Sequence, residues 1–497
     1  MNILRITRII VATIIFIAAL GTLLNIFPSH SIAQYALEIQ FTPALMGVLT
    51  GSFILILFLI ILTFLFGRVY CSFICPLGIF QDIVYFFSKK ILKKTNKEYV
   101  KKNSGYKKPL NILRYSILAI IMLCFAIGFT LPVSLIDPYS VFGRISNNII
   151  VYIGNGLNNL SSYIFPDSYY YQEYAQWSLY SFVYSVIALV VIIAISSLKG
   201  RLYCNSICPV GTFLGMISQN SLFKIAINKQ MCVSCTQCSR NCKSNCIDLK
   251  NKEIDYSRCV MCFDCITSCA RGGVKVVPAW KIKKESADNN QQDNNIENKG
   301  RRNAIIAMGG LFGAVAARKF VDPASKISGM EYQNKTRPIM PPGAQGLENF
   351  MNACTSCHAC IEACPSNIIK PASFEYGIDG IMMPTLKYTE GYCKYNCNAC
   401  SDVCPNEALI EMPLEKKQKT KIGVAHFIAQ NCISLNEGID CGACSRECPT
   451  GAIKMVKSST NPTMEQPSIA RRSCIGCGAC EYVCPALPKA IRVSGVR

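Results

Sequence analysis

Cysteine is the residue whose number and spacing give this chain its chemistry. The chain has 30 cysteines among 497 residues, and 24 of them fall into six groups of four. Two groups have the spacing C-x2-C-x2-C-x3-C without a following proline, and proline follows the last cysteine of the other four. Disulfide frameworks are typical of small secreted domains, whereas thiols grouped in this way are typical ligands of [4Fe–4S] clusters. The sequence therefore predicts about six such clusters.

The first two groups predict a two-cluster domain. Three closely spaced thiolates hold one cluster, and the fourth cysteine reaches the neighbouring cluster. The predicted ligand sets are Cys232, Cys235, Cys238 and Cys269 for one cluster, and Cys259, Cys262, Cys265 and Cys242 for the other. Lys243 stands where proline usually follows, and Cys246 lies four residues beyond Cys242. Either Cys242 or Cys246 could therefore be the fourth ligand of the second set.

The other four groups predict a four-cluster domain towards the C-terminus. Their cysteines are Cys354, Cys357, Cys360 and Cys364; Cys393, Cys397, Cys400 and Cys404; Cys432, Cys441, Cys444 and Cys448; and Cys474, Cys477, Cys480 and Cys484. The stretch from Cys354 to His358 also fits the attachment motif of c-type haem, but its thiols belong to a complete ferredoxin group. Only three histidines occur, and no nucleotide-binding glycine motif is present. We therefore expect neither haem nor flavin in this chain.

Four apolar segments are long enough to span a membrane, which takes about 20 residues. They are residues 9–27, 43–66, 112–131 and 179–197. Lysine and arginine crowd into residues 68–114, whereas residues 28–42 have none and residues 132–178 have only Arg144. Because positive loops face the cytoplasm, the pattern predicts a four-span helical bundle in the bacterial inner membrane with both ends cytoplasmic. The same rule explains the net charge of +21 without a nucleic-acid partner.

The second and fourth predicted spans end in matching motifs. Residues 67–78 read GRVYCSFICPLG and residues 200–211 read GRLYCNSICPVG. Internal repeats of this kind usually bracket a shared site near their pseudo-axis. The four cysteines of these C-x3-C-P motifs are Cys71, Cys75, Cys204 and Cys208. They could bind a metal or cluster, act as a redox dithiol near a quinone, or merely pack at two helix ends, and their repetition favours a functional site.

Acidic residues beyond the third span are candidates for proton transfer. Oxidation of a quinol needs a base, and Asp137 lies just past that span, with Glu173 as a second candidate. The alternative is that an acidic residue in an outer loop is merely solvated. Cys124, alone in the third span, is expected to pack.

Composition divides the chain into five parts. Residues 1–220 are predicted as the transmembrane domain and residues 221–280 as a two-cluster ferredoxin-like α+β domain. Residues 281–300 are rich in Asn, Gln and Asp and predict a flexible linker. Residues 301–320 open with two arginines before an apolar run, which predicts a twin-arginine-like signal or a fifth anchor helix, with cleavage left open. Residues 321–497 form the four-cluster ferredoxin-like domain, which either interpretation sends to the periplasm.

The chain resembles two known families joined end to end. Residues 1 to about 280 resemble NapH, a membrane ferredoxin-type quinol dehydrogenase family, in four spans, two C-x3-C-P motifs and a two-cluster ferredoxin. Residues from about 300 onward resemble the NapG and MauM family, with a twin-arginine leader, the segment Pro341-Pro342-Gly343-Ala344 and four cysteine groups. The second of these groups departs from the family in the spacing of Cys393 and Cys397. The resemblance implies that the first group pairs with the fourth and the second with the third.

The resemblance also implies a function in anaerobic respiration. The chain would oxidise membrane quinol and pass electrons to a periplasmic reductase or c-type cytochrome. An alternative is an electron donor for the maturation or reactivation of a periplasmic metalloenzyme, and a third is a scaffold in which clusters serve only structure. Quinone and the [4Fe–4S] clusters are the expected cofactors.

Overall fold

The computed structural model describes residues 3–27, 31–50, 53–95, 105–127, 129–164, 179–282, 293–320, 337–458 and 464–496. These residues belong to two compact units. The first unit comprises Met1–Thr22, Ser31–Ser146 and Val183–Pro323, and the second comprises Leu23–His30, Asn147–Phe182 and Ala324–Arg497. The predicted two-cluster domain therefore lies in the first unit and the predicted four-cluster domain in the second. Glu173 lies outside the described residues.

Apolar helices dominate the first unit. Among the described residues, Ile3–Leu23 and Leu179–Lys199 are long and apolar enough to cross a membrane, judged by length and composition alone. Shorter apolar helices are Ile54–Phe66, Asn111–Ile127 and Pro209–Ser218. The predicted first and fourth spans overlap the two long helices. The predicted second span, residues 43–66, is divided between helices Phe41–Thr50 and Ile54–Phe66, and the third corresponds to the shorter helix Asn111–Ile127. A four-span bundle therefore stays a prediction.

The two long helices expose much of their apolar surface. Ile10 and Ile14 are more than half exposed on the first helix, as are Ile187 and Val190 on the second. Contiguous apolar surface of this kind marks a site of contact with a membrane or another protein. Their exposed faces therefore weakly indicate membrane association.

Helix ends position the repeated C-x3-C-P motifs. Gly67, with a φ of 73°, ends helix Ile54–Phe66, and Gly200, with a φ of 63°, follows helix Leu179–Lys199. Glycine is the usual residue in this left-handed position because it has no Cβ. Each motif then forms a short helix, Tyr70–Phe73 or Leu202–Ser206, and the proline of each Cys-Pro pair starts the next helix, Pro76–Thr95 or Pro209–Ser218. Proline suits a first helical position, since its missing N–H would be unpaired there.

The remaining described helices of the first unit connect or cover these elements. They are Ile32–Gln34, Tyr35–Glu38, Phe41–Thr50, Leu131–Ile136, Pro138–Ile145 and Asp293–Phe320. Helix Pro138–Ile145 packs against Pro76–Thr95. Because Pro138–Ile145 lies inside this bundle, the segment after the predicted third span folds back onto the helix that follows the first motif.

Helix Asp293–Phe320 changes the prediction for residues 281–300. It packs along helices Asn111–Ile127 and Pro209–Ser218, with Ala307, Leu311 and Ala314 buried. Residues 293–300, predicted to be part of a flexible linker, are helical, and residues 283–292 lie outside the described part of the chain. A physical reason is that helix propagation is cheap once a packed apolar turn has nucleated the helix. This helix is not among the described helices that are apolar enough to cross a membrane, so both interpretations of residues 301–320 stay predictions.

The two-cluster domain is closed by two antiparallel strand pairs. Strand Phe223–Ile227 pairs with Val274–Pro278, joining the two ends of the domain, with Phe223 opposite Pro278. Strand Ile247–Asp248 pairs with Glu253–Ile254 between the cysteine groups. Short helices Gln237–Asn241 and Asp264–Ser268 each carry the third cysteine of a group. This is an α+β arrangement with the cysteines in its core.

The second unit repeats this arrangement. Strand Gly423–Phe427 pairs with Ile491–Gly495, and Ile453–Lys457 pairs with Glu465–Ile469. Strand Ile369–Pro371 pairs with Pro384–Leu386 in the preceding part of the unit. Its described helices are Val151–Ile164, Leu347–Ala353, Ala359–Glu362, Ile378–Gly380, Ala399–Asp402, Leu414–Lys419, Ala429–Asn431, Ile433–Asn436, Ala443–Arg446 and Ala479–Tyr482, with a π-helical turn at Ser146–Ile150.

Candidate iron–sulfur centres and the buried thiol quartet

The ferredoxin-type cysteine loops share a backbone conformation. Ser234 and Thr236, which flank Cys235, have φ angles of 55° and 67°. The residues that flank the second cysteine of three further groups also have positive φ angles: Met261 and Phe263, Ser356 and His358, and Gly476 and Gly478. Non-glycine residues rarely adopt this conformation, and they do so mainly at functional sites. The left-handed turns curl each loop around the space that its thiols line.

The second group of the four-cluster domain lacks these turns. Asn398, which follows Cys397, has a φ of −127°. Three residues separate Cys393 from Cys397, one more than in the regular groups. The irregular spacing therefore coincides with a different backbone conformation in this loop.

In the two-cluster domain the thiols gather into two sets. Burial, followed by the neighbouring thiols Cys232, Cys269 and Cys235, raises the pKa of Cys238 to about 11. A separate cavity is lined by the thiols of Cys242, Cys246, Cys259, Cys262 and Cys265. Cys269 thus lies with the thiols of the first group and Cys242 with those of the second. This is the predicted arrangement, in which the fourth cysteine of each group reaches the neighbouring cluster.

Cys242 and Cys246 both lie at the second cavity. Their sulfur atoms are 3.5 Å apart, and each side chain is buried. The hydrogen bond with Cys246 lowers the pKa of Cys242 to about 7, with burial opposing it. The hydrogen bonds with Cys242 and Cys259, followed by burial, raise the pKa of Cys246. Either thiol can therefore reach the cavity, and which of the two is the fourth ligand stays a prediction.

The four-cluster domain pairs neighbouring cysteine groups. Burial and then the thiols Cys357, Cys354 and Cys404 raise the pKa of Cys360, whereas burial and then Cys393, Cys364 and Cys397 raise that of Cys400. One cavity is lined by Cys448, Cys474, Cys477 and Cys480, and another by Cys432, Cys441, Cys444 and Cys484. The first group therefore exchanges its fourth cysteine with the second, and the third with the fourth.

This pairing corrects the expectation drawn from the family resemblance. The resemblance implied pairing of the first group with the fourth and of the second with the third. Groups adjacent in sequence instead form compact two-cluster units, and strand pairs Gly423–Phe427 with Ile491–Gly495 and Ile453–Lys457 with Glu465–Ile469 enclose the third and fourth groups. Short connections make such local pairing the lower-cost arrangement, because loop closure over a longer segment loses more chain entropy.

The thiol sets fit clusters better than single ions or disulfides. All 30 cysteines are free thiols. Among the described residues, no three His, Cys, Asp or Glu side chains approach closely enough to hold one metal ion. A cubane, by contrast, takes one thiolate at each iron and holds its ligands around a larger inorganic core. The structure therefore provides spaces lined by four or more thiols, as [4Fe–4S] clusters require.

His358 belongs to one of these loops. Its Nε2 lies 3.0 Å from the carbonyl oxygen of Met382, and its side chain is buried. The residue occupies one of the left-handed positions beside Cys357. This contact gives the histidine a place in the ferredoxin loop, and the expectation that no haem binds stays a prediction.

The four cysteines of the C-x3-C-P motifs come together in the first unit. We refer to Cys71, Cys75, Cys204 and Cys208 as the thiol quartet, and all four are at most 4% exposed. Burial, followed by the neighbouring thiols Cys204 and Cys71 and then Cys75, raises the pKa of Cys208. The two motifs are thus brought together at one site, as their repetition predicts.

Two buried arginines cross between the motifs. Arg68 of the first motif donates to the carbonyl oxygen of Cys204 at 3.1 Å, and Arg201 of the second motif donates to the carbonyl oxygen of Cys71. Arg68 also lies 3.7 Å from the sulfur of Cys71. Gly78 and Gly211 have no room for a Cβ against the carbonyl groups of Cys71 and Cys204. Cysteine spacing does not identify these arginines, although the Gly-Arg pair that is repeated in the two motifs is a sequence signal for them.

Asp137 is buried rather than solvated. It is 2% exposed and accepts hydrogen bonds from the backbone N–H and hydroxyl of Ser140, at 2.8 and 2.9 Å, and from the hydroxyl of Thr42. Burial raises its pKa, against these hydrogen bonds. Asp137 is the N-cap of helix Pro138–Ile145, which is a structural role for this residue type. Its role as a base stays a prediction.

The loops around Asp137 connect to the thiol quartet through tyrosines. Tyr70, which precedes Cys71, donates to the amide oxygen of Gln40 at 3.0 Å. Tyr203, which precedes Cys204, donates to the carbonyl oxygen of Ile136 at 2.7 Å. Residues 40–42 and 136–137 are themselves joined by the contact of Thr42 with Asp137. Residues 40–42 and 136–137 therefore form one hydrogen-bonded layer, which links the candidate base Asp137 to both motifs through Tyr70 and Tyr203.

Asp82 is a second buried carboxylate, and the sequence offered no signal for it. It contacts Arg8, and its oxygens lie 2.7 Å from Arg201 and 3.2 Å from Lys243. Burial opposes its charge, but Arg201 and Lys243 bring the pKa of Asp82 well below its usual range. The carboxylate ties the N-terminal helix, the second motif and the two-cluster domain together.

Comparison with family models places 4Fe-4S domains along much of the chain. Residues 48–95 and 182–230 both match a 4Fe-4S binding domain, and each stretch contains one C-x3-C-P motif. Residues 353–408 and 439–487 match a 4Fe-4S dicluster domain, and residues 255–368 match another. The prediction of several ferredoxin-like [4Fe–4S] domains is confirmed. No solved structure matches the chain.

Curated relatives include ferredoxin-type proteins. MauM, the methylamine utilization ferredoxin-type protein of Methylobacillus flagellatus, is 30% identical over 201 residues, 39% of this chain and 79% of that protein. The ferredoxin-type protein NapG of Escherichia coli is 29% identical over 151 residues, 30% of this chain and 61% of that protein. An uncharacterized protein of Methanocaldococcus jannaschii is 24% identical over 215 residues, 43% of this chain and 66% of that protein. Together with the thiol-lined cavities, the similarity to MauM shows that the chain is an iron–sulfur electron-transfer protein and belongs to the MauM family of ferredoxin-type proteins.

Proposed function

We propose that this chain is a quinol dehydrogenase module of the bacterial inner membrane. It would combine a NapH-like membrane part with a NapG- and MauM-like four-cluster part in one polypeptide. Quinol would be oxidised in the helical part, and the electrons would go to a periplasmic reductase or c-type cytochrome. The [4Fe–4S] clusters supply one-electron carriers for this transfer.

One observation carries the proposal. In the first unit, a buried carboxylate with a raised pKa lies in the same hydrogen-bonded layer as the tyrosines that adjoin the thiol quartet. A quinol must lose two protons as it loses two electrons, so a base and electron carriers have to be close together. Asp137 and the thiols provide this combination inside a set of apolar helices.

The exposed apolar helices support a membrane setting. Helices Ile3–Leu23 and Leu179–Lys199 would cross the bilayer, with helices Ile54–Phe66 and Asn111–Ile127 completing the predicted spans. In the proposed topology the two-cluster domain faces the cytoplasm and the four-cluster domain faces the periplasm. Helix Asp293–Phe320 would remain attached as an anchor.

Quinol oxidation by the purified full-length chain tests the proposal. The protein would be reconstituted in liposomes and supplied with a reduced menaquinone analogue and a c-type cytochrome as acceptor. We expect cytochrome reduction that depends on both the protein and the quinol. A protein with a full iron content that reduces no cytochrome and shows no cluster reduction by quinol would contradict the proposed function.

A second candidate function is electron donation for the maturation or reactivation of a periplasmic metalloenzyme. The similarity to MauM, which is named for methylamine utilization, favours keeping this candidate. It would predict cluster reduction by quinol without rapid turnover of a soluble cytochrome. Cluster oxidation upon addition of an inactive metalloenzyme, but not of cytochrome, would identify this function.

A further inference from the structure

The thiol quartet is formed by two motifs that contact each other. Its four thiols are buried, and the crossed contacts of Arg68 with Cys204 and of Arg201 with Cys71 hold the two motifs together. Both stretches that carry the motifs match a 4Fe-4S binding domain, so a cluster is the group that these four thiols would hold.

Hydrogen-bond donors point at the sulfur atoms of the quartet. Gln81 donates to the sulfur of Cys204 at 3.3 Å, and the backbone N–H of Gly211 donates to that of Cys208 at 3.3 Å. The guanidinium of Arg68 lies 3.7 Å from the sulfur of Cys71. Donors to ligand sulfurs stabilise their negative charge and tune the potential of a bound cluster. Buried thiols that merely pack would not need such partners.

The crossed arginines complete a pseudo-symmetric site. Each motif supplies two thiols, a glycine that allows close backbone approach, and an arginine that holds the other motif. Arg68 and Arg201 are fully buried, and they would offset the negative charge that four thiolates bring to an apolar setting. The two halves therefore form one four-thiol site, to which neither contributes more than two ligands.

The same site contacts the loop of the second ferredoxin cluster. Arg68 donates to the carbonyl oxygen of Ser257 at 3.0 Å, and Ser72 donates to the carbonyl oxygen of Val260 at 2.7 Å. Val69 packs in the core that contains Cys259. These contacts join residues on either side of Cys71 to the segment that carries Cys259 and Cys262. A carrier at the quartet would thus adjoin the second cluster of the two-cluster domain.

We propose that Cys71, Cys75, Cys204 and Cys208 hold a seventh [4Fe–4S] cluster, which relays single electrons between the layer that contains Asp137 and the cluster bound by the Cys259 loop. The relay deepens the proposed function, on which its direction rests, whereas the presence of the cluster does not depend on it. Each transfer reduces or oxidises the cluster by one electron and forms no bond.

Iron counting on the intact protein gives the first test. Anaerobically purified wild-type protein is expected to contain about 28 iron atoms and as many acid-labile sulfides per chain, since each [4Fe–4S] cluster holds four. A value of about 24, the content of six clusters, would overturn the proposal. This measurement does not depend on the folding of any variant.

A double variant tests the location of the extra cluster. Cys71→Ser with Cys204→Ser should lower the iron content by about four atoms per chain while the paramagnetic resonance signals of the ferredoxin clusters persist. Cys124→Ser, which changes a cysteine outside the quartet, is the matched control and should keep the full iron content. Unchanged iron in the double variant, or loss of zinc in place of iron, would overturn the assignment.

A third measurement distinguishes a failure of the cluster assignment from a failure of the proposed quinol oxidation. Quinol oxidation is assayed on the same wild-type preparation. A protein that contains the seventh cluster but does not oxidise quinol contradicts the proposed function and leaves the site standing. A protein that oxidises quinol with six clusters contradicts the site alone.

Discussion

At the residue scale, the contact of Cys242 with Cys246 concerns the fourth ligand of the second ferredoxin cluster. The two sulfur atoms are 3.5 Å apart, and their hydrogen bond lowers the pKa of Cys242. We therefore expect Cys242→Ser to remove one cluster, or about four iron atoms per chain, whereas Cys246→Ser should keep the iron and shift only the cluster's potential. Iron analysis and redox titration monitored by paramagnetic resonance would measure both effects. The reverse pattern, with iron lost from the Cys246 variant, would make Cys246 the ligand.

Asp137 offers a second prediction at the residue scale. Asp137→Asn keeps a side chain that caps helix Pro138–Ile145 but removes the base. Loss of a general base typically lowers a rate by about 10²- to 10⁴-fold, and we expect quinol oxidation to fall within that range. Ser140→Ala, which removes one hydrogen bond to the same carboxylate, is the control and should retain most of the activity. Full activity in the Asp137 variant would leave the residue with its capping role only.

Spacing indicated which thiols lie together far better than it indicated the residues that surround them. The regular cysteine groups indicated the thiol sets of the two-cluster domain, and the repeated motifs indicated that Cys71 and Cys204 lie together. Asp82 could not be found in the same way, because a single carboxylate in an amphipathic helix has no distinguishing spacing. Its partners Arg8, Arg201 and Lys243 come from three distant parts of the chain, and only the folded structure brings them together.

At the element scale, Asp82 joins several pieces of the first unit. Removing one partner of a buried ion pair leaves uncompensated charge, which typically costs about 3–5 kcal/mol. We expect Asp82→Asn to destabilise the first unit by that order, because three cations would lose their shared carboxylate. Thermal unfolding in detergent, followed by loss of cluster absorbance, would measure the change.

The low pKa of Asp82 also makes the stability of the first unit depend on pH. A carboxyl group whose pKa is lowered by folding stabilises the folded state above its unfolded pKa of about 3.9 and loses this effect as the pH falls below that value. The wild type should therefore lose stability in acid more steeply than the Asp82→Asn variant. If the acid unfolding curves of the wild type and of the Asp82→Asn variant have the same slope, the assignment of a buried, ionised carboxylate to Asp82 is contradicted.

In the second unit, the pairing of secondary-structure elements determines which cysteine groups lie together. Family resemblance suggested a long-range pairing, whereas the strand pairs and cavities join groups that are adjacent in sequence. No feature of the spacing alone distinguishes the two arrangements, because every group ends in the same Cys-Pro. The choice depends on strand pairing, which depends in turn on side chains between the groups.

Cys364 provides a direct test of that pairing. It lies among Cys393, Cys397 and Cys400, away from the rest of its own group. Cys364→Ser should therefore perturb the cluster of the second group and leave the cluster that Cys354, Cys357 and Cys360 hold with Cys404. Cys404→Ser is the matched variant and should have the opposite effect. Perturbation of the cluster that Cys474, Cys477 and Cys480 hold, in place of the second group's cluster, would instead support the long-range pairing.

At the scale of the whole molecule, the direction of electron flow depends on where the four-cluster domain lies. The sequence predicted the periplasm from the charge pattern and from the apolar run after Arg301 and Arg302. Helix Asp293–Phe320 packs on the first unit, which is consistent with a retained anchor. A retained anchor that crosses the bilayer carries the chain from the cytoplasmic end of the bundle to the outer side.

Protease accessibility in intact cells can measure this topology. A reporter peptide fused after Arg497 should be cleaved by external protease once the outer membrane is permeabilised, while one inserted in the Lys-rich region at residues 96–104 should be protected. Disruption of the inner membrane should expose both reporters. Protection of the C-terminal reporter until that point would place both cluster domains in the cytoplasm, and electrons from quinol would then serve an internal acceptor instead of a periplasmic one.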